Sequence, residues 1–210
     1  MQTQVLGIEH PDTLDSLSNL AQTLLAQGSP QEAEALSRQV LEIQTQVLGI
    51  EHPDTLDSLN NLALALNNQG NHKEAERLAR QALEIRTRVL GIEHPDTLLG
   101  LNNLAAVIDD QGNHKEAETL YRQALEIQTR VLGIEHADTL SGLHNLAFAL
   151  HNQRNYEEAE ALFRRTLMLK TQVLGADHPS TISGMNSLAE MLRRQGRDEE
   201  AEAIQVQKQV

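Results

Sequence analysis

The chain has 210 residues, a formal net charge of −13, 40% hydrophobic residues and only 2% aromatic residues. An acid excess of that size argues against nucleic acid or an anionic membrane as partner, because phosphate binding needs clustered Lys and Arg. The absence of cysteine excludes a disulfide scaffold and a thiolate metal site, and with so few aromatics burial must come from closely packed Leu, Ala and Ile, a composition suited to helix on helix.

The decapeptide VLGIEHPDTL stands at residues 5–14 and returns letter for letter at 47–56 and 89–98; looser copies, VLGIEHADTL and VLGADHPSTI, follow at 131–140 and 173–182. A fixed period of 42 overrides any domain count based on length and predicts one array over 1–210. Residues 1–9 read as the tail of a preceding repeat, followed by repeats 10–51, 52–93, 94–135, 136–177 and an incomplete 178–210. Because residues 2–9 repeat 44–51, the chain is expected to be a segment of a longer protein, with open ends that can stack.

Each repeat contains two amphipathic segments. In the second, Leu59, Leu62, Ala63 and Leu66 fall at i, i+3, i+4 and i+7, the apolar stripe of a first helix, helix A. Gly70 within QGN ends it, and a second stripe through Ala75, Leu78, Ala79, Ala82 and Leu83 predicts helix B. Helix B carries Glu-to-Arg pairs at i and i+4 (Glu34 with Arg38, Glu76 with Arg80, Glu118 with Arg122, Glu160 with Arg164), each worth about 0.2–0.5 kcal/mol. The recurring HPDT is a joint: Gly49 stops helix B, Pro53 takes the first position of the next helix A, where its missing N–H costs nothing, and Asp54 faces the positive end of that helix dipole. Ala137 replaces the proline in the fourth repeat and keeps the helix. Gly100, Gly142 and Gly184 stand inside helix A where earlier repeats have Ser16 and Ser58, and close helix approach is the expected reason.

Leu59-x2-Leu62-Ala63-x2-Leu66 followed by Ala75-x3-Ala79 and Ala82 resembles the tetratricopeptide pattern of helix–turn–helix repeats. Alanine fills two columns in all five repeats, Ala21, Ala63, Ala105, Ala147, Ala189 and Ala33, Ala75, Ala117, Ala159, Ala201. The usual Trp is replaced by Leu or Met, the large residue of helix B appears only as Tyr121 and Phe163, and the period exceeds the usual value of about 34. The phrases LNNLA, QGNHKEAE, QALEI and VLGIEHPDT are similar to the 42-residue class of kinesin light chains and of the sensor regions of NACHT- or NB-ARC-type signalling ATPases. The resemblance implies an all-α, right-handed superhelical solenoid of antiparallel helix pairs that acts as a protein- or peptide-binding scaffold, with a concave groove lined by helices A.

A helical wheel sets candidate groove residues opposite the core stripe of helix A. They include Asn19 in the first repeat, Asn61, Leu64 and Asn68 in the second, Asn103, Ala106 and Asp110 in the third, Asn145, Phe148 and Asn152 in the fourth, and Arg194 in the fifth. Asn19, Asn61, Asn103 and Asn145 form a ladder whose amides can hold peptide main chain, as the resemblance implies, or bond neighbouring helices or water. Phe148, with Leu64 and Leu99, predicts an apolar strip for a partner side chain; alternatively Phe148 folds back on a helix B. Asp109 and Asp110 against Arg193 and Arg194 suit a peptide basic near the third repeat and acidic near the fifth.

No catalysis is expected. The joint histidines lie about 10 Å apart, too far to share a metal, and no phosphate loop, nucleophile elbow or Ser/His/Asp order is present. No cofactor is called for. No apolar run suits a membrane span or a signal peptide, so a cytoplasmic chain is expected. The contrasting expectation to a peptide-binding groove is a structural or self-assembling segment that stacks through its uncapped ends.

Overall fold

The structure is a computed structural model describing residues 7–206. The predicted tail of a preceding repeat therefore lies outside the described residues for positions 1–6, as does the end of the fifth repeat for 207–210. All regular structure among the described residues is helical. Two compact units divide the chain, one up to Gly112 and one from Asn113. The first holds α1 (Pro11–Ala26), α2 (Pro30–Val47), α3 (Pro53–Asn68), α4 (His72–Leu90) and α5 (Pro95–Asp110); the second holds α6 (His114–Val131), α7 (Ala137–Asn152), α8 (Tyr156–Leu174), α9 (Pro179–Arg194) and α10 (Asp198–Val206). Odd helices are helices A and even ones helices B, and within each unit each helix packs on the next in antiparallel pairs.

The joint explains where every helix A begins. Proline takes the first turn of α1, α3, α5 and α9, as the sequence predicts. The preceding histidine has a role the sequence reading did not give it: its Nδ1 accepts the backbone N–H two residues on, at 3.2 Å from Asp12, 3.3 Å from Asp54 and 3.2 Å from Asp96, Asp138 and Ser180. An orphan donor of the first turn is thereby satisfied by an imidazole instead of the usual hydroxyl or carboxylate. His94→Ala is expected to lower the unfolding free energy by about 0.5–2 kcal/mol, and His94→Asn to restore most of it, since Asn is among the best caps. Urea melts of the three proteins decide this, and an unaltered midpoint for His94→Ala would show that the bond does no capping.

At the far end of helix A the chain reverses through a left-handed residue. Gly70 has φ +80° and Asn71 N–H returns to Leu66 carbonyl at 2.9 Å, a six-to-one closure that ends the helix. In the fourth repeat Arg154 holds this conformation, φ 65°, without glycine's freedom.

Both alanine columns are fully buried, at 0–1% exposure, where any larger side chain would force the helices of a pair apart. The predicted Glu-to-Arg pairs form at 2.7–2.9 Å. They also extend between repeats: Arg38 reaches Glu74 at 3.0 Å, Arg122 reaches Glu158 at 2.7 Å, and Gln69 and Gln153 donate to Glu34 and Glu118 at 2.7 Å. Arg38 first, then Gln69, holds the Glu34 carboxyl below its usual range. The arginine contacts fasten one helix B to the next, and the glutamines at the ends of helices A fasten these to the preceding helix B, while the alanines set the distance within each pair.

Candidate peptide-binding groove

One polar residue near the end of each of α2, α4, α6 and α8 is buried against the next helix A. These are Gln44, Arg86, Gln128 and Lys170, spaced by the repeat period, and all at least 96% buried. Fourteen residues on, helix A presents Ser58, Gly100, Gly142 and Gly184. A Cβ at Gly142 would stand 2.6 Å from Gln128 Oε1, and one at Gly100 would stand 3.3 Å from Arg86 Nη1. The predicted close approach is therefore met at these two glycines, by a side chain rather than by helix backbone. Gly184 departs from the expectation: its nearest neighbours, on Leu167 and Lys170, would lie at 3.8 and 3.9 Å, ordinary contact. Gly184→Ala is accordingly expected to raise stability by about 0.5–1 kcal/mol, the helix-propensity difference, as read from a denaturant midpoint; a lowered midpoint would show that the space is needed.

Gln44 and Arg86 reach the face that the wheel assigned to the groove. Arg86 passes Gly100 and pairs through Nη2 with Asp57 of α3, an exposed residue of that face. Lys170 has no carboxylate partner among the described residues and donates only to Ser180 carbonyl at 3.4 Å; burial lowers its pKa.

In the second unit that face carries a hollow of about 250 Å³ between α7 and α9. Phe148, Phe163 and Met191 form its apolar walls, and His151, Glu190 and Arg194 its polar rim. Phe148 leans on a helix B, as the second sequence alternative expects, without being covered by it. Its ring meets Phe163 of α8 edge-on, centroids 6.2 Å apart, yet 48% of the residue stays exposed. Beside it His144 stacks edge-on against Phe163 at 5.3 Å; burial, reinforced by the charge of Lys170, pushes its pKa down to about 4, so the ring is neutral near pH 7. Arg194 is tied to Glu190 at 3.0 Å and swings over the rim from the last turn of α9. The volume suits one large side chain rather than a whole small-molecule ligand.

The tetratricopeptide repeat sequence profile matches residues 1–46, 12–88, 54–130, 96–167 and 138–207. The chain belongs to the tetratricopeptide repeat family. Among solved structures, it is similar to a kinesin-light-chain-like protein of Podosopora anserina with nearly identical TPR-like repeats, at 32% identity and a TM-score of 0.74, covering 95% of this chain and 94% of that one. BtubC (BKLC) from P. vanneervenii shares 22% identity with a TM-score of 0.74 over 94% of this chain and 79% of that one. A Rap protein in complex with Competence and Sporulation Factor shares 14% identity with a TM-score of 0.78 over 98% of this chain and 59% of that one; these last two likenesses concern the fold alone. No curated protein matches the sequence. The fold class predicted from the repeat is thus the tetratricopeptide helix-pair fold.

Within this tetratricopeptide frame the predicted groove residues divide. Phe148 and Arg194 line the hollow of the second unit. Asn19 and Asn61 line a polar hollow of the first. Asn61 is only 7% exposed and accepts from Gln22 of α1 at 3.5 Å, and Asn103 donates to Asn60 of α3 at 3.0 Å, so two ladder amides bond neighbouring helices A. Asp110 accepts from Asn67 in the same way. Leu64, Ala106 and Asn145 are half-buried on their helices, while Asn68 and Asn152 are exposed. Sequence reasoning missed Phe163 and Met191 as walls, and missed the whole seam column. A signal for the column was present, in polar residues recurring on helix B with Ser or Gly fourteen positions later.

Proposed function

We propose that the chain is a non-catalytic, cytoplasmic scaffold that holds a peptide segment of a partner protein on its helix-A faces. Tetratricopeptide repeats form a family of protein-binding scaffolds, and the observation that carries the finer reading is the hollow walled by Phe148, Phe163 and Met191. An apolar pocket ringed by His151, Glu190 and Arg194 has the make-up of an anchor site: a buried contact surrounded by polar groups that exclude water. The amides of Asn19, Asn145 and Asn152 lie on the same faces of their helices and supply both donors and acceptors for peptide main chain. Near-identical repeats give this surface fixed geometry; the positions that vary, Leu64 to Ala106 and Phe148 for example, give it selectivity. Selection from a random peptide library against the chain, followed by hydrogen exchange of the complex, tests the reading. Protection centred on α7 and α9 near Phe148 and Glu190 is expected; protection confined to the helix-B surfaces would overturn it.

A further inference from the structure

The hollow of the first unit differs in character from the apolar one. Asp15 of α1 and Asp54 and Asp57 of α3 stand around it, with the amides of Asn19 and Asn61 between them. Gln44, 1% exposed, reaches it from α2 below, and its Oε1 has no hydrogen-bond partner among the described residues. A buried carbonyl oxygen left without a donor is costly, and a donor brought by a ligand removes the cost. The surrounding charge points to the sign of that donor. Arg86 balances Asp57 alone. Asp54 stands 3.6 Å from His52, whose Nδ1 lone pair already accepts the Asp54 N–H. The Asp57 pKa is raised, chiefly by lost hydration where this otherwise exposed carboxylate meets the protein surface and, against the pull of Arg86, by the charges of Asp96 and Asp54.

We propose that this hollow is a subsite for the guanidinium group of an arginine side chain on the bound partner. Five N–H donors in a planar fork meet the Gln44 carbonyl and the carboxylates of Asp15 and Asp54, acceptors spread around the group rather than collected at one point. The same columns in the fourth and fifth repeats read Ser141 and Ser183 in place of Asp15 and Asp57, so the acid hollow belongs to the first unit. The inference rests on the reading that partners lie along the helix-A faces, and it sharpens that reading by naming what one end of the partner carries.

The test uses the full chain labelled with ¹⁵N and two small probes, N-acetylarginine methylamide and its uncharged citrulline analogue. The arginine probe is expected to give saturable shifts at Asp15, Asn61 and the Gln44 side-chain amide, and the citrulline probe none. Gln44→Leu, which removes the unpartnered oxygen without losing volume, and the exposed Asp15→Asn are each expected to weaken the arginine probe about fivefold or more, with an unchanged melting temperature for Asp15→Asn. Equal shifts from both probes, no saturable shift at these residues, or unweakened binding by Asp15→Asn overturns the proposal. Because the probes are too small to need a peptide groove, their failure beside successful peptide capture removes the subsite alone, and the converse removes the groove alone.

Discussion

Phe148→Ala is expected to weaken capture of a selected peptide by about thirtyfold, roughly 2 kcal/mol, a typical loss for truncating an anchor-site aromatic. The ring already leans on Phe163, and its remaining 48% exposure is the area a partner would cover. Since that half of the ring is in water, truncation costs the free chain far less than truncation of a fully buried residue. Met191 shares the hollow but is buried at 2% exposure, so its removal would lower stability and affinity together and report less cleanly. Phe148→Leu should retain much of the affinity, because an apolar wall survives. Calorimetric titration of the three proteins with one peptide, beside their melting curves, gives the answer; equal affinity for Phe148→Ala with its fold intact would remove the hollow from the binding surface.

The second large effect concerns the seam. Asp57→Ala is expected to destabilise the chain by about 1–3 kcal/mol, more than Arg86→Gln, which should stay within about 1 kcal/mol. The asymmetry follows from exposure. Arg86 is 98% buried, so loss of its one carboxylate leaves a guanidinium stranded between α3 and α5, although water near the exposed Asp57 limits the penalty. The seam itself accepts a neutral amide, since Gln44 and Gln128 occupy the equivalent position in the flanking repeats. The double variant Asp57→Ala with Arg86→Gln should therefore recover most of what Asp57→Ala loses. Urea midpoints of the four proteins close this cycle; additive losses would mean the pair is not coupled.

The fold could be read from the sequence because each local signal agreed with the next. The Leu and Ala stripes gave the helices, and Gly70 and Pro53 marked their ends, since these residues act through backbone geometry that one repeat contains in full. The alanine columns likewise announced the pair spacing. The site was less legible because its parts meet only after folding. A wheel drawn on α3 sets Asn61 opposite the core stripe of α3, but in the stacked repeats the flank of a helix A also meets another helix A, and Asn61 is spent partly on Gln22. Phe163 reads as core from its own helix, and it is core, yet one edge of it also walls the hollow. Gln44 and Lys170 look like solvent residues on an amphipathic helix B, and only the passage left by Ser58 or Gly184 on another helix shows where they go.

The histidine cap carries a consequence for how such chains change length. At all five joints the cap bond is made within three consecutive residues, so the start of each helix A draws its cap from its own repeat. A copy of 42 residues inserted by unequal crossing-over would arrive with its own fastening, and the seam residues inside it could then drift between amide and cation without loosening the junction. Length and specificity are thereby inherited through separate positions, which lets a genome lengthen the array first and tune what it holds afterwards.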